Sequence, residues 1–320
     1  MKRRKFIHTS AMAVPMISLF PAGLSSIDRT RVRGKIEKRS LGKTGEKLSM
    51  IGFGGIVVNK ATAQQSAAWV KEAIDYGVNY FDVAPSYGNA EEMLGPALEP
   101  YRKGVFLACK TGERKKEGAR KELEQSLKNM RTDHFDLYQL HAVTSLEDVD
   151  TIFGKGGAME TFLEAKEEGK VRYLGFSAHS VEAAMALMDG FDFDTILFPF
   201  NFATWYAGNF GPQVMQRAKE QEMGILALKA MAWRPWEEGE ERTTGGKTWY
   251  KPLPTPEEAE KGLRFTLSHP VTAAIHPGHE DYMSMAFRMA LDFQPMEDKE
   301  IIEMKKKAME TTPLFKYPMG

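Results

Sequence analysis

The 320-residue chain predicts an α/β fold closed into a single (β/α)8 barrel, with an N-terminal β-hairpin and an extra C-terminal helix. Three observations lead there. Eight short apolar runs, rich in branched and aromatic residues, recur along the sequence as strands buried on both faces do. Helical patterns lie between them, and a repeat of roughly thirty residues per strand–helix unit favours closure over an open sheet. No Gly-x-Gly-x-x-Gly turn joins an early strand to a helix, so a doubly wound dinucleotide-binding sheet loses support.

The elements follow in order. Residues 36–49 read as two short strands around Lys43-Thr44-Gly45, a hairpin turn signal. The strand runs are 49–55, 79–84, 105–111, 136–142, 171–178, 195–201, 225–230 and 272–278. Over 62–77 a helical stripe carries Ala67, Val70, Ala73 and Ile74, and Gly77 closes it as a C-cap. Leu123, Leu127 and Met130 recur at the same spacing in 119–130. Similar segments occupy 158–168, 181–189, 211–222, 255–268 and 280–291, and 296–311 reads as the extra helix.

The sequence divides into a leader over 1–30 and a barrel over 31–320. Arg3 and Arg4 precede Phe6 and Ile7, and a short, mostly apolar stretch runs on to PAGLSS. A bilayer span needs about twenty apolar residues, and Pro15 and Pro21 oppose a long helix. The segment resembles a twin-arginine export signal, which implies carriage by the twin-arginine translocase and a periplasmic location.

Composition narrows the function. Lys plus Arg and Asp plus Glu balance at 43 each, so nothing signals the basic surface that a nucleic-acid partner needs. Cys109 is the only cysteine, which excludes an intramolecular disulfide framework, a multi-thiolate zinc site and an iron–sulfur cluster. Neither His276 with His279 nor Asp82 with His141 makes a convincing metal set, so no metal is expected.

In such a barrel the active site forms where strands end. Asp82 ends the second strand, Lys110 the third, His141 the fourth, Ser177 the fifth and Asn201 the sixth. Lys229 lies near the end of the seventh, Gly278 ends the eighth, and Tyr87 follows Asp82 in FDVAPSYG. An acid, a phenol, an amine and an imidazole around one mouth can protonate a carbonyl while a hydride arrives. A free phenol, with a pKa near 10, holds its proton too tightly for that task. Lys110 is expected to lower it, Asp82 to hold Lys110, and His141 to orient the carbonyl.

Through RSLGKTGEKLSMIGFGG, AIDYGVNYFDVAPSYG, the Lys110 strand, DLYQLHAV, VRYLGFSAHS, FPFNF and GILALKA, the chain resembles the aldo-keto reductases. The likeness covers nearly everything after the leader. It implies reversible reduction of an aldehyde or ketone with a nicotinamide cofactor across the mouth, NADP(H) ahead of NAD(H), by a monomer. It implies catalysis by Asp82, Tyr87, Lys110 and His141, with Ser177 and Asn201 on the nicotinamide carboxamide. Gly55, Lys229, Gly278 and His279 would hold the rest of the cofactor, Lys229 near the pyrophosphate.

The chain departs from the family at several positions. Ala178 replaces a frequent Asn, and Leu228 and Lys229 stand where many members carry an aromatic ring. Glu280 stands where relatives usually carry a base for the 2′-phosphate, leaving His279 or Arg288 as substitutes. Trp205, Tyr206, Trp233 and Trp236 lie in loops expected to overhang the mouth, and are the expected substrate pocket for a sugar, steroid or aryl carbonyl. The competing reading is a non-catalytic or redox-sensing binding module, as in the potassium-channel β subunits that resemble this family.

Overall fold

The computed structural model describes residues 34–244 and 246–318, so the leader expected over 1–30 lies outside the described residues. The hairpin forms from β1 (Lys38–Ser40) and β2 (Lys47–Ser49), antiparallel with Lys38 opposite Ser49. Its turn ends at Gly45 with φ +82°, as the Lys-Thr-Gly signal predicts. Gly42 has a second reason to be glycine: at φ +51°, an added Cβ would sit 2.3 Å from the Gly224 nitrogen. That close approach lets Leu41 and Leu48 plug the barrel base, fully buried beside Tyr80, Phe106 and Leu137.

The chain then alternates strand and helix. The strands are β3 (Ile51–Gly54), β4 (Tyr80–Asp82), β5 (Phe106–Thr111), β6 (Phe135–Val143), β7 (Val171–Ala178), β8 (Thr195–Pro199) and β9 (Gly224–Leu228). After β9 come a hairpin, β10 (Ala232–Pro235) and β11 (Tyr250–Pro252), and the last barrel strand, β12 (Ala273–Ile275). All eight barrel strands pair in parallel and close in the order β12-β3-β4-β5-β6-β7-β8-β9, the TIM-barrel architecture expected.

The helices are α1 (Ala63–Tyr76), α2 (Ala90–Leu98), α3 (Lys116–Asn129), α4 (Leu146–Phe153), α5 (Ala158–Glu167) and α6 (Val181–Gly190). They continue with α7 (Phe202–Tyr206), α8 (Pro212–Glu220), α9 (Pro256–Leu267), α10 (Glu280–Leu291) and the added α11 (Asp298–Met309). In α1, Thr62 accepts from the Gln65 nitrogen and the Gln65 side chain returns the bond, while Gly77 closes the far end at φ +84°.

Four elements carried no signal that periodicity could read. In α2, Gly95 and Pro96 interrupt the helical pattern, yet an added Cβ on Gly95 would lie 2.2 Å from the Asn129 carbonyl oxygen. Tight packing on α3 outweighs local propensity there. The others, α4, the single-turn α7 and the β10–β11 hairpin, are short or separated by a long loop. Among the described residues no helix is long and apolar enough to cross a membrane.

Candidate active site

The carboxyl ends of the strands surround a cavity of about 340 Å³. Tyr87, Lys110, His141, Ser177, Lys229 and Gly278 line it together with His179, Lys247, Trp249, Tyr250 and His276. A larger open groove of about 1110 Å³ lies at the opposite end of the barrel. Several of its charges pair among themselves, as Arg102 with Asp136 at 3.0 Å and Arg172 with Asp136 at 2.7 Å.

Strand register puts Asp82 beside β5, and the buried Lys110 ammonium forms an ion pair with it. The same ammonium donates to the Val83 carbonyl at 3.2 Å, and the Tyr80 hydroxyl donates to the second Asp82 oxygen at 3.1 Å. Lys110 Nζ faces Tyr87 at 5.4 Å from the ring centroid, and His141 meets the Tyr87 ring edge-on at 5.7 Å. The structure therefore brings Asp82, Tyr87, Lys110 and His141 together.

The electrostatics differ from the simple expectation in one respect. Burial pushes the Tyr87 phenol up, Lys110 pulls it down, and Asp82 pushes it up again, leaving it above its usual value. The ammonium limits the rise without reversing it. Burial also opposes the Lys110 charge, yet Asp82 and Tyr87 outweigh it and hold the ammonium on. Burial, then Lys110, Arg114 and Lys229, push His141 down to about 3, so its imidazole is neutral near pH 7. Its Nδ1 lies 3.3 Å from the Ser86 hydroxyl.

The expected cofactor residues divide. Ser177 lines the cavity, but its oxygen already accepts from the Ala142 nitrogen at 2.7 Å. Asn201 spends its side-chain oxygen on the first turn of α7, accepting from the Thr204 nitrogen at 3.0 Å, while its buried amide nitrogen has no partner among the described residues. Gly55 packs against β4, where a Cβ would meet the Asp82 carbonyl oxygen at 2.8 Å. His279 caps α10, and its Nδ1 lies 3.7 Å from carboxylate oxygens of both Glu280 and Asp281. Lys229 is buried inside the cavity, 3.1 Å from His179 Nε2.

The expected substrate aromatics are elsewhere. Trp205 packs against His269 of the α9 end at 4.5 Å, and Tyr206 packs on Phe265 of α9 at 5.6 Å beneath Lys305. Trp233 lies under Arg234 and Lys251, and Trp236 donates its indole N–H to the Thr248 carbonyl at 3.2 Å. All four fasten loops to helices or to the hairpin instead of facing the cavity. Loop membership fixed their neighbourhood; it could not fix which way the rings turn.

The cavity takes its aromatic wall from Trp249 and Tyr250, before and on β11, and Phe315 of the returning C-terminal tail packs against Trp249 at 5.7 Å. Phe315 stacks on His179 at 5.1 Å and on Phe210 at 4.9 Å. The tail is tied down by the Tyr317 nitrogen, which donates to the Gly208 carbonyl at 2.8 Å. Sequence reasoning also passed over Lys247, whose half-buried ammonium donates to the Val57 carbonyl at 2.7 Å, and His179 as a cavity wall. His179 was visible in FSAHS beside Ser177. Phe315 had no signal at all, because only the folded tail brings it near.

Residues 50–235 match the aldo/keto reductase family model. The uncharacterized oxidoreductase YqkF of Bacillus subtilis is 25% identical over 309 residues, 86% of this chain and 96% of that protein. L-galactose dehydrogenase of Arabidopsis thaliana is 32% identical over 170 residues, 48% of this chain and 52% of its own. Among solved structures, the holo form of an aldo-keto reductase from Bacillus halodurans aligns with a TM-score of 0.67 at 22% identity, over 89% of this chain and 99% of that one. An aldo/keto reductase from Klebsiella pneumoniae in complex with NADP and acetate aligns at 0.66 and 20%, with the same coverage. With the barrel, the strand-end residues and a family match over more than half its length, this chain belongs to the aldo/keto reductase family.

Proposed function

We propose that the protein reversibly reduces an aldehyde or ketone to the alcohol, with a nicotinamide cofactor as the hydride source. One observation carries the reading: a buried ammonium, Lys110, is fixed by Asp82 and the Val83 carbonyl while it faces the Tyr87 ring, in one cavity with a neutral His141. Tyr87 gives its proton to the carbonyl oxygen as negative charge grows there. Lys110 stabilises the phenolate that remains, and Asp82 keeps the ammonium aimed. In the tautomer whose Nδ1 accepts from Ser86, His141 carries its proton on Nε2 and donates a hydrogen bond to the same oxygen. In the reverse direction the phenolate recovers the proton.

The residues present fit a nicotinamide cofactor. The buried amide nitrogen of Asn201, without a partner among the described residues, is a donor suited to the carboxamide oxygen, and Ser177 lies on β7, the strand paired with the one that leads to Asn201. Gly278, Gly55 and His279 follow along the route to β12 and α10. The bound cofactor would supply the hydride to the carbonyl carbon. The reading puts NADP(H) ahead of NAD(H), and a structural neighbour in complex with NADP supports that order.

The discriminating assay incubates the protein with NADPH or NADH and a broad panel of aldehydes and ketones. Cofactor oxidation matched by alcohol formation is the expected result. Nucleotide binding with no turnover on any member of the panel would favour a binding module. The twin arginines add a second expectation: a monomer exported with its cofactor already bound, which the substrate pair then recycles. Releasing and identifying the nucleotide from the exported form tests it, and a cofactor-free protein of weak affinity would contradict it.

A further inference from the structure

Three lysines border the reaction cavity, and two have their charge accounted for. Lys110 is paired with Asp82, and Lys247 donates to the Val57 carbonyl. Lys229 is different. It is 7% exposed, and its only hydrogen-bond neighbour among the described residues is the His179 imidazole nitrogen. Around it stand the faces of Trp249 at 5.4 Å, Phe315 at 5.6 Å and Tyr250 at 6.0 Å. No carboxylate is among the groups lining this cavity.

A buried cation without an anion is costly, and aromatic faces offset only part of that cost. Burial accordingly pushes Lys229 down to about 7. The protein nevertheless commits the backbone to this placement, since Lys229 sits at φ +62°, a left-handed conformation that an L-residue adopts at an energetic cost. A surface lysine reaching for a phosphate at the rim would need neither the burial nor the imidazole behind it.

We propose that Lys229, backed by His179, is an anion subsite inside the reaction cavity, and that the physiological carbonyl substrate carries a carboxylate which docks there. This rests on the carbonyl-reductase reading and adds a substrate class to it. The carboxylate accepts from the ammonium, while the aromatic wall of Trp249 and Tyr250 covers the apolar part of the molecule. The same ammonium could instead meet the cofactor's pyrophosphate, the role implied by family resemblance, so the test separates the two anions.

Calorimetric titration of the protein as purified compares benzoate with benzamide, which match in shape and differ in charge. Wild type is expected to bind benzoate about tenfold to a hundredfold more tightly, the scale of one hydrogen bond to a charged group. Lys229→Met should erase the preference and Lys229→Arg should keep most of it. In turnover, the ratio of kcat/KM for 4-carboxybenzaldehyde over 4-formylbenzamide should fall by the same factor in Lys229→Met. Equal binding of the two probes by wild type overturns the proposal, a result that needs no variant to fold. So does a preference that survives Lys229→Met, or a variant whose defect is confined to NADPH affinity. A charge preference without carbonyl turnover on any substrate would sink the reductase reading and leave the anion subsite standing.

Discussion

At the end of β6 the chain turns through Ala142 at φ +50°, and one side chain from the loop after β5 and one from β7 hold that turn. Arg114 donates to the His141 carbonyl at 2.9 Å and the Ala142 carbonyl at 3.3 Å, and its own position is set by Asp148 at 3.2 Å. Ser177 accepts the Ala142 N–H from the other side. Such a strained residue costs on the order of 1–3 kcal/mol and persists only where its surroundings impose it. Arg114 is therefore a positioning residue for His141. Arg114→Ala should lower kcat about tenfold with little change in cofactor affinity, as expected when a catalytic group is loosened but retained. It should also raise the apparent pKa of His141, because one of the charges depressing it is gone, whereas a purely structural role would leave the pH profile unmoved. Glu280 bears on cofactor choice at the same scale. With Asp281 it places negative charge at the start of α10, where a helix end otherwise favours phosphate. Glu280→Gln should improve NADPH over NADH by about two- to fivefold in Kd, the size of one charge at a helix terminus.

At the scale of elements, the tail after α11 is the part that no local pattern announces. Phe315 backs two residues of the cavity wall, His179 at 5.1 Å and Trp249 at 5.7 Å. Phe315→Ala should raise KM for aryl aldehydes by roughly threefold to tenfold, the scale of one aromatic contact, and steady-state kinetics on substituted benzaldehydes would read it. The barrel strands were legible for the opposite reason: a strand buried on both faces must be a largely apolar run, so Phe106–Thr111 and Thr195–Pro199 stand out from their surroundings. Of the proposed catalytic residues, Asp82, Lys110 and His141 were legible because each is the polar interruption of such a run, while Tyr87 lies in the loop that follows Asp82. Substrate contacts were not. Trp205 and Trp249 lie in similar aromatic loops, yet Trp205 turns to α9 while Trp249 reaches the cavity, a choice made by packing between distant elements. In α2 the same competition hid a whole helix behind Gly95 and Pro96.

For the molecule as a whole, acid should be the weak side. His276 is buried and His141 and His179 are half-buried, and all three are neutral near pH 7, pushed down to about 4, 3 and 2 from the usual 6.5. His276 shows why: its Nε2 accepts from the Gly54 nitrogen at 3.0 Å and its Nδ1 donates to the Pro277 carbonyl, so a second proton would break the β12–β3 closure. Below pH 6.5 the unfolded chain binds protons that the folded chain refuses, so folding stability falls as pH falls toward the folded-state values. Each histidine costs about 1.4 kcal/mol per pH unit in that window. Chemical denaturation at pH 7, 6 and 5 should show the decline, and His276→Gln should flatten it. The Lys110–Asp82 pair is part of the same buried framework, so removing either partner should cost about 3–5 kcal/mol of stability as well as activity. Tyr87 stands half-buried at the wall and can lose its hydroxyl without emptying the core. The decisive measurement is therefore aldehyde reduction by Tyr87→Phe beside wild type, with NADPH affinity measured on both. A proton delivered by Tyr87 predicts a loss in kcat of about a hundredfold to ten-thousandfold at unchanged Kd; a variant that still turns over at the wild-type rate would contradict it.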